Sequence, residues 1–314
     1  MLANGRGRVL GKIAADLEHA LARRAVCGAP GRAAAHLLAR GEGWSVEDVV
    51  CTSGPGDRPF DEQHSEVAIG VVVAGTFAYR SPWGRGLMTP GSWLLGNAGE
   101  HFECSHEHAA GDRCVAFHYA PDYFERVAAD AGAPRGARRF RLSRVPPVRA
   151  VSALAARAAT GVALAGDVAW EELALEMAGA AIGLSGRMPG DRGETPAAPV
   201  ARVTETVRAI ERRPDARWTV AQLAADAGQS AFHFLRMFRR ITGVTPHQFI
   251  LRARLREAAA RLRRGDSKII EVALASGFGD VSNFNHAFRA EFGVPPRAYS
   301  GTSPPLRTAG RLRA

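Results

Sequence analysis

A chain of 314 residues with 46% hydrophobic and 23% charged residues has room for two ordinary globular domains. Its formal net charge of +10 is uneven, because residues 200–300 alone hold 17 Lys+Arg against 9 Asp+Glu. No apolar run approaches the roughly 18 residues of a membrane span, and four unevenly spaced cysteines make no disulfide framework, which excludes a membrane protein and a disulfide-stapled secreted scaffold and points to a reducing cytosol.

Residues 1–45 are rich in alanine and arginine. Ile13, Leu17, His19 and Leu21 can share one amphipathic helix, but few other signals are present, so a poorly defined extension is expected. Met1 to Val26 lacks the continuous apolar core of a secretory signal, and Asp16 and Glu18 argue against a transit peptide. From Val46 the period changes. Val49–Cys51, Val67–Val73, Thr76–Arg80, Leu87–Met88, Trp93–Leu95 and Cys114–Phe117 are short, apolar and β-branched or aromatic, separated by Gly75, Pro90-Gly91 and Asn97-Ala98-Gly99. Close-spaced strands with glycine turns predict a small β-sandwich or barrel over 46–145.

Residues 146–186 turn helical. Val151, Leu154, Ala155 and Ala158 make one stripe, and Trp170, Leu173, Met177 and Ala181 another. Such stripes need a partner surface, and a homodimer contact is the expectation, with packing on their own barrel as the alternative. Residues 187–199 read as a proline- and glycine-rich linker, and 301–314 as a basic tail.

Within the strand region lies a cluster of soft ligands: Cys104, His106 and His108, then Cys114 and His118. Alternation puts 104, 106 and 108 on one face of a strand and 114, 116 and 118 on one face of the next. A hairpin turning at 109–112 would bring them together, with His64 able to join. Thiolate and imidazole suit zinc or another soft transition metal, and Cys104, His106, His108 and Cys114 are the candidate ligands. Thiol redox at Cys104 and Cys114 is a second use, and a structural or effector-pocket role a third. His101 and Glu103 face the other way.

The strongest signal lies at the C-terminal end, where one pattern is written twice. Val220, Leu223, Ala224 and Gly228 recur as Ile269, Val272, Ala273 and Gly277 at an offset of 49. Ser230, Phe234, Phe238, Gly243, Val244 and Pro246 recur as Asp280, Phe284, Phe288, Gly293, Val294 and Pro296 at an offset of 50. A single insertion in the turn, with both flanks kept, describes two short helices joined by a tight glycine turn: a helix-turn-helix, used twice. Ser230 and Asp280 stand as N-caps. Phe234, Phe238 and Ile241, then Phe284, Phe288 and Phe292, form the buried stripes. The opposite faces show Phe232, Leu235, Arg236 and Arg239 in the first copy and Ser282, Asn283, Asn285, His286 and Arg289 in the second. Thr219 with Gln222, and Thr245 with Pro246 and Gln248, predict capping boxes. The second opens a long arginine-rich helix between the copies.

This arrangement resembles the AraC/XylS family of transcription regulators, and the run GFGDVSNFNHAFRAEFGVPPRAY follows the signature of the family's second motif. The resemblance covers residues 200–300. It implies that Phe232, Leu235 and Arg236 in one helix, and Ser282, Asn283 and His286 in the other, touch DNA. Leu235 and Phe232 lack polar heads, which points to thymine methyls or DNA shape. His286 stands where the family often has arginine. In this family a cupin-like effector domain often precedes the DNA-binding part. The expected fold is therefore α+β: a cupin-like β-barrel, then helices, then an all-α domain with two helix-turn-helix motifs. Two reading helices on one rigid scaffold would enter successive major grooves about 34 Å apart. The expected protein is a cytoplasmic one-component regulator, not an enzyme, that binds promoter DNA, contacts RNA polymerase and answers an effector, a metal or a redox signal. The competing readings are a cupin-like metalloenzyme carrying a DNA-binding domain, with His64, His106 and Glu107 as ligands, and an architectural DNA binder without a ligand.

Overall fold

The apolar run at Val67–Val73 becomes the central strand β4 (Val67–Gly75), buried on both faces along nearly its whole length. A computed structural model describes residues 9–134, 138–164, 168–188, 196–265 and 268–300. Residues 1–8 of the expected N-terminal extension, 189–195 of the expected linker and the 301–314 tail lie outside the described residues. Strand β4 sits in a six-stranded antiparallel sheet of order β1-β2-β9-β4-β7-β10. Its partners are β1 (Ala33–Gly41), β2 (Trp44–Cys51), β7 (Trp93–Gly96), β9 (Asp112–Tyr119) and β10 (Arg144–Val145). A second sheet of four strands, order β3-β8-β5-β6, holds β3 (Phe60–Gln63), β5 (Phe77–Ser81), β6 (Gly84–Met88) and β8 (His101–Ser105).

Alternation divides the sheet residues between two cores. Ile69, Val71, Val115, Phe117 and Tyr119 point to one side, where they meet α2 (Pro121–Asp130), α3 (Arg149–Leu164) and α4 (Trp170–Ser185). Val72, Leu94 and Cys114 point to the other side and pack with Phe77, Tyr79, Met88, Phe102 and Cys104 of the second sheet. Strand β4 feeds both cores, which is why it shows no polar alternation.

Two expectations change here. Residues 1–45 are not a loose extension from Val9 onward. Val9–Cys27 is helix α1, and the following strand β1 pairs with β2 along the sheet edge. The helix is held by Ile13 and Leu17, both buried, and by Arg113, which bridges Asp48 at 2.7 Å and Asp16 at 3.1 Å. The stripes of α3 and α4 are also not free for a dimer, because both are consumed inside the chain. Leu173, Met177 and Ala181 of α4 pack on the large sheet with Val151, Ala155 and Ala158 of α3. Ala159 and Ala163 of α3 meet α1, and Ala156 meets the C-terminal helices. Helix α3 has neighbours on three sides, and its many alanines permit that close approach.

The C-terminal helices are α5 (Ala197–Arg212), α6 (Val220–Asp226), α7 (Ala231–Thr242), α8 (Pro246–Arg264), α9 (Ile269–Ala275), α10 (Val281–Phe292) and α11 (Pro296–Tyr299). Among the described residues no helix is long and apolar enough to cross a membrane.

His64 lies between β3 and β4, with its ring stacked on Phe102 at 4.0 Å and its Nε2 3.0 Å from the Tyr79 hydroxyl. Burial, helped by the charge of His118, pulls its pKa down to about 4. The unfolded chain takes up a proton near pH 6.5 that the folded chain refuses until about pH 4. Stability from this site is therefore present above pH 6.5 and falls as pH drops through that window, by up to about 3 kcal/mol. Denaturant titrations at several pH values are expected to show a flatter profile between pH 6.5 and 4 for His64→Gln than for the parent. Parallel profiles would remove His64 as the cause.

Candidate nucleic-acid interface and the Cys/His cluster

The two helix-turn-helix copies close with the same backbone hydrogen bonds. In the first, Gln229 N donates to Ala224 O at 2.9 Å and Gly228 takes φ +63°. In the second, Phe278 N donates to Ala273 O at 3.0 Å and Gly277 takes φ +86°. Both glycines occupy left-handed geometry that a side chain resists, and the paired bonds satisfy carbonyls at the helix end. The extra residue, Gly279, follows this closure, so it lengthens the turn without disturbing it. Ser230 then caps α7 through His233 N, and Asp280 caps α10 through Ser282 N at 3.0 Å and Asn283 N at 2.9 Å. Both predicted capping boxes form, at Thr219 with Gln222 and at Thr245 with Gln248.

Each copy has its own core, and α8 serves both. Phe249, Ile250 and Ala253 of α8 join Leu223, Phe234, Phe238 and Ile241. One turn further on, Leu255, Ala258, Ala259 and Leu262 join Val272, Phe284, Phe288 and Phe292. With the phenylalanines turned inward, all nine predicted contact residues lie on the outer faces. Phe232, Leu235, Arg236 and Arg239 of α7 are exposed, and so are Ser282, Asn283, Asn285, His286 and Arg289 of α10. Phe232 is 69% exposed, an unusual position for an aromatic ring. The Arg236 guanidinium stands 5.7 Å from its ring centroid, so the phenylalanine helps hold the arginine over the helix face.

Two further arginines border the α10 face. Arg149 and Arg297 line an open groove together with Ser282, Asn285, His286 and Arg289. Arg297 follows the second motif closely and was visible in the sequence as one more basic residue. Arg149 comes from α3, about 130 residues earlier, and nothing in its surroundings marks it.

The arginine-rich helix α8 is another matter. Its charge looked like part of a nucleic-acid face, yet several of these side chains are internal ties. Arg252 pairs with Glu291 at 2.8 Å, and Glu291 also meets Ser152 of α3. Arg256 pairs with Glu211 of α5 at 2.6 Å, and Arg254 donates to the carbonyls of Pro214 and Ala216. Burial raises the pKa of Glu211, against the pull of Arg256. Part of the positive charge in 200–300 therefore locks helices together instead of facing a partner.

The Cys/His cluster is assembled differently from the expected hairpin. Strand β8 pairs with β3 and β5 in the small sheet, whereas β9 pairs with β2 and β4 in the large one. The chain crosses between sheets at 106–111, so His108 and Cys114 do not face each other across a hairpin. Cys104 and Cys114 enter the core between the sheets, where burial pushes both thiols well up. His108 is part-buried, with Nε2 3.8 Å from a Glu107 carboxylate oxygen and no hydrogen-bond partner. His118 lies 3.6 Å from Glu47.

His106 instead meets Asp112, with Nε2 2.7 Å from Oδ1. Cys51, which the sequence reading did not single out, completes this group. Burial works against a charge on His106, but hydrogen bonds to Asp112 and Cys51 outweigh it and hold its pKa up at about 9. The ligand set for a cupin-like metalloenzyme does not form: His64 turns to Tyr79, and Glu107 pairs with Arg85 at the surface. His106 and His108 also line a cavity of about 140 Å³ between the small sheet and the C-terminal helices. Arg85, Thr204 of α5 and Arg240 and Ile241 of α7 are also part of its wall.

Comparison with known proteins gives one consistent picture of the C-terminal third. A family model described as a helix-turn-helix domain matches residues 223–301. The HTH-type transcriptional activator AarP of Providencia stuartii is 30% identical over 97 residues, which cover 31% of this chain and 72% of that protein. A putative AraC-like transcription regulator of Streptomyces lividans is 32% identical over 97 residues, covering 31% of this chain and 32% of the relative. The HTH-type transcriptional regulator MtrA of Neisseria gonorrhoeae is 29% identical over 98 residues, and the match spans about a third of its length. Among solved structures, the DNA-binding domain of AdpA in complex with a target DNA is 31% identical, covering 32% of this chain and 89% of that one at a TM-score of 0.31. ToxT from Vibrio cholerae covers 83% of this chain and 98% of that one, at 13% identity and a TM-score of 0.34.

Proposed function

Because this chain belongs to the AraC/XylS family of transcription regulators, we propose that it binds promoter DNA through α7 and α10, one major groove each, and regulates transcription in the cytoplasm. The observation that carries this reading is the duplicated helix-turn-helix. Two separate cores are threaded on one helix, and each leaves an outward face, apolar and basic in the first copy and polar and basic in the second. On this reading Arg236, Asn283, Asn285 and Arg289 reach base edges, while Arg239, Arg149 and Arg297 neutralise phosphates. Affinity then falls steeply with salt, as counterions are released from the duplex.

The sheets are the sensing half. Support comes from the cavity that His106, His108 and Arg85 share with Thr204, Arg240 and Ile241, since a small molecule there touches the sheets and the helix bearing Arg236 at once. RNA polymerase is the expected second partner. A homodimer would use surfaces other than the buried stripes of α3 and α4.

Selection from a random duplex library with the full chain tests the reading. The expected result is a bipartite site with two conserved blocks one helical turn apart. Enrichment of a single short block, or no enrichment above bulk duplex, would contradict it.

A further inference from the structure

We propose that Cys51, His106 and Asp112 bind a zinc-class divalent cation, and that the crossing from His106 to Asp112 passes the bound state to the C-terminal helices. The three donor atoms already lie within 4.8 Å of one another. A tetrahedral zinc with bonds of about 2.0–2.3 Å needs its ligand atoms roughly 3.3–3.8 Å apart. His106 Nε2 and Asp112 Oδ1, now 2.7 Å apart, would part by about 0.6 Å while the wider separations close by up to about 1 Å, both within reach of side-chain rotation.

The three ligands come from separate elements that the fold holds in register. Cys51 closes β2 and Asp112 opens β9, and the two are directly opposed in the antiparallel ladder. Opposed residues share one face of a sheet, so their side chains converge without any special loop. His106 follows β8 from the other sheet, where its ring stacks near Phe77 at 6.0 Å. His106 and Asp112 are both buried, and Cys51 is part-buried. A plain His106–Asp112 ion pair accounts for two of the three groups. Cys51 is hydrogen-bonded to the same His106 ring, and the three groups together make a metal-ligand set. On binding, the cation displaces the protons of His106 and Cys51 to solvent, and the resulting neutral imidazole, thiolate and carboxylate carry two negative charges that it cancels inside the protein. The mixed sulfur, nitrogen and oxygen set suits zinc and its analogues better than magnesium or calcium. Cys114 holds the carboxylate from the far side, donating its thiol proton to Asp112 Oδ2 at 3.2 Å. Three protein ligands leave a fourth position, and His106 also lines the 140 Å³ cavity through which a small molecule can reach it.

The second part rests on the DNA-binding reading. Gly111, the residue before Asp112, accepts a hydrogen bond from Arg208 Nη2 of α5 at 2.7 Å. Arg208 Nε donates to Thr76 Oγ1 at 3.0 Å. Seating a cation between His106 and Asp112 opens their 2.7 Å contact and so shifts Asp112 and the carbonyl before it that anchors α5, whose Val203, Val207 and Ile210 pack in the core of the first helix-turn-helix.

The test is a cobalt(II) titration of the full chain after chelation, under reducing conditions. The expected result is one equivalent bound with a thiolate-to-cobalt charge-transfer band, displaced by zinc. Cys51→Ser and Cys51→Ala should abolish that band, and Asp112→Asn should weaken it. Cys27→Ser, at an exposed thiol elsewhere, should leave it unchanged. No band in the parent, or a band that survives loss of Cys51 in a variant with native circular dichroism, overturns the site. DNA affinity measured with and without zinc tests the coupling: Arg208→Ala should keep the band and lose the zinc dependence. An unchanged zinc dependence in Arg208→Ala overturns the coupling alone, and absence of specific DNA binding in every state would count against the regulator reading instead.

Discussion

Phe288→Ala is expected to destabilise the second helix-turn-helix by about 3–5 kcal/mol, the usual cost of emptying a buried phenylalanine site. Phe288 is fully buried, with ring centroids of Phe292, Tyr299 and Phe284 at 4.5, 5.3 and 5.5 Å. No smaller side chain can reach all three rings. The first copy has a different core, and the two share α8 along successive turns. Damage should therefore stay with α9, α10 and α11. Hydrogen exchange should show those helices losing protection while α6 and α7 keep most of theirs. Equal loss across both copies would mean that they fold as one unit.

Arg236→Ala is expected to weaken specific DNA binding by about 1–3 kcal/mol, or roughly 5- to 150-fold, if the guanidinium makes a bidentate contact to a guanine. The exposed ring of Phe232 beneath it restricts its motion before DNA arrives, so less freedom is lost on binding. Competition binding against single-base variants of the selected site is the measurement. The substitution should relax preference at one base pair and leave the others alone. A uniform fall across all sequences, with a shallower salt dependence, would reassign Arg236 to phosphate contact.

The C-terminal third was legible because its signals are local. The glycine turns, the N-caps Ser230 and Asp280 and the two threonine capping boxes each involve residues a few positions apart, and each formed as the spacing predicts. The aromatic stripes followed from period alone, and they fixed which faces of α7 and α10 remain outside. The strands of the sheet region were mostly found, but not their partners. Strand β8 was expected to turn back onto β9, and it joined the other sheet instead, since nothing short-range distinguishes a hairpin from a crossing. That crossing also explains why the soft ligands regrouped. Cys51 meets Asp112 across a ladder between residues some sixty positions apart, and no spacing rule reports such a pair. The alanines of α3 suggested an unclaimed surface, where tertiary packing uses them for close contacts on three sides. The arginines of α8 misled in the same way, because composition does not tell a phosphate contact from an ion pair such as Arg252–Glu291.

The central claim is that α7 and α10 read two groove segments on one side of a duplex. Guanine methylation interference on the selected site, compared for the parent chain, Arg236→Ala and Arg289→Ala, tests it most directly. The account predicts two major-groove segments about one helical turn apart, with Arg236→Ala erasing one and Arg289→Ala the other. A single protected segment in the parent, or both variants erasing the same one, would contradict it.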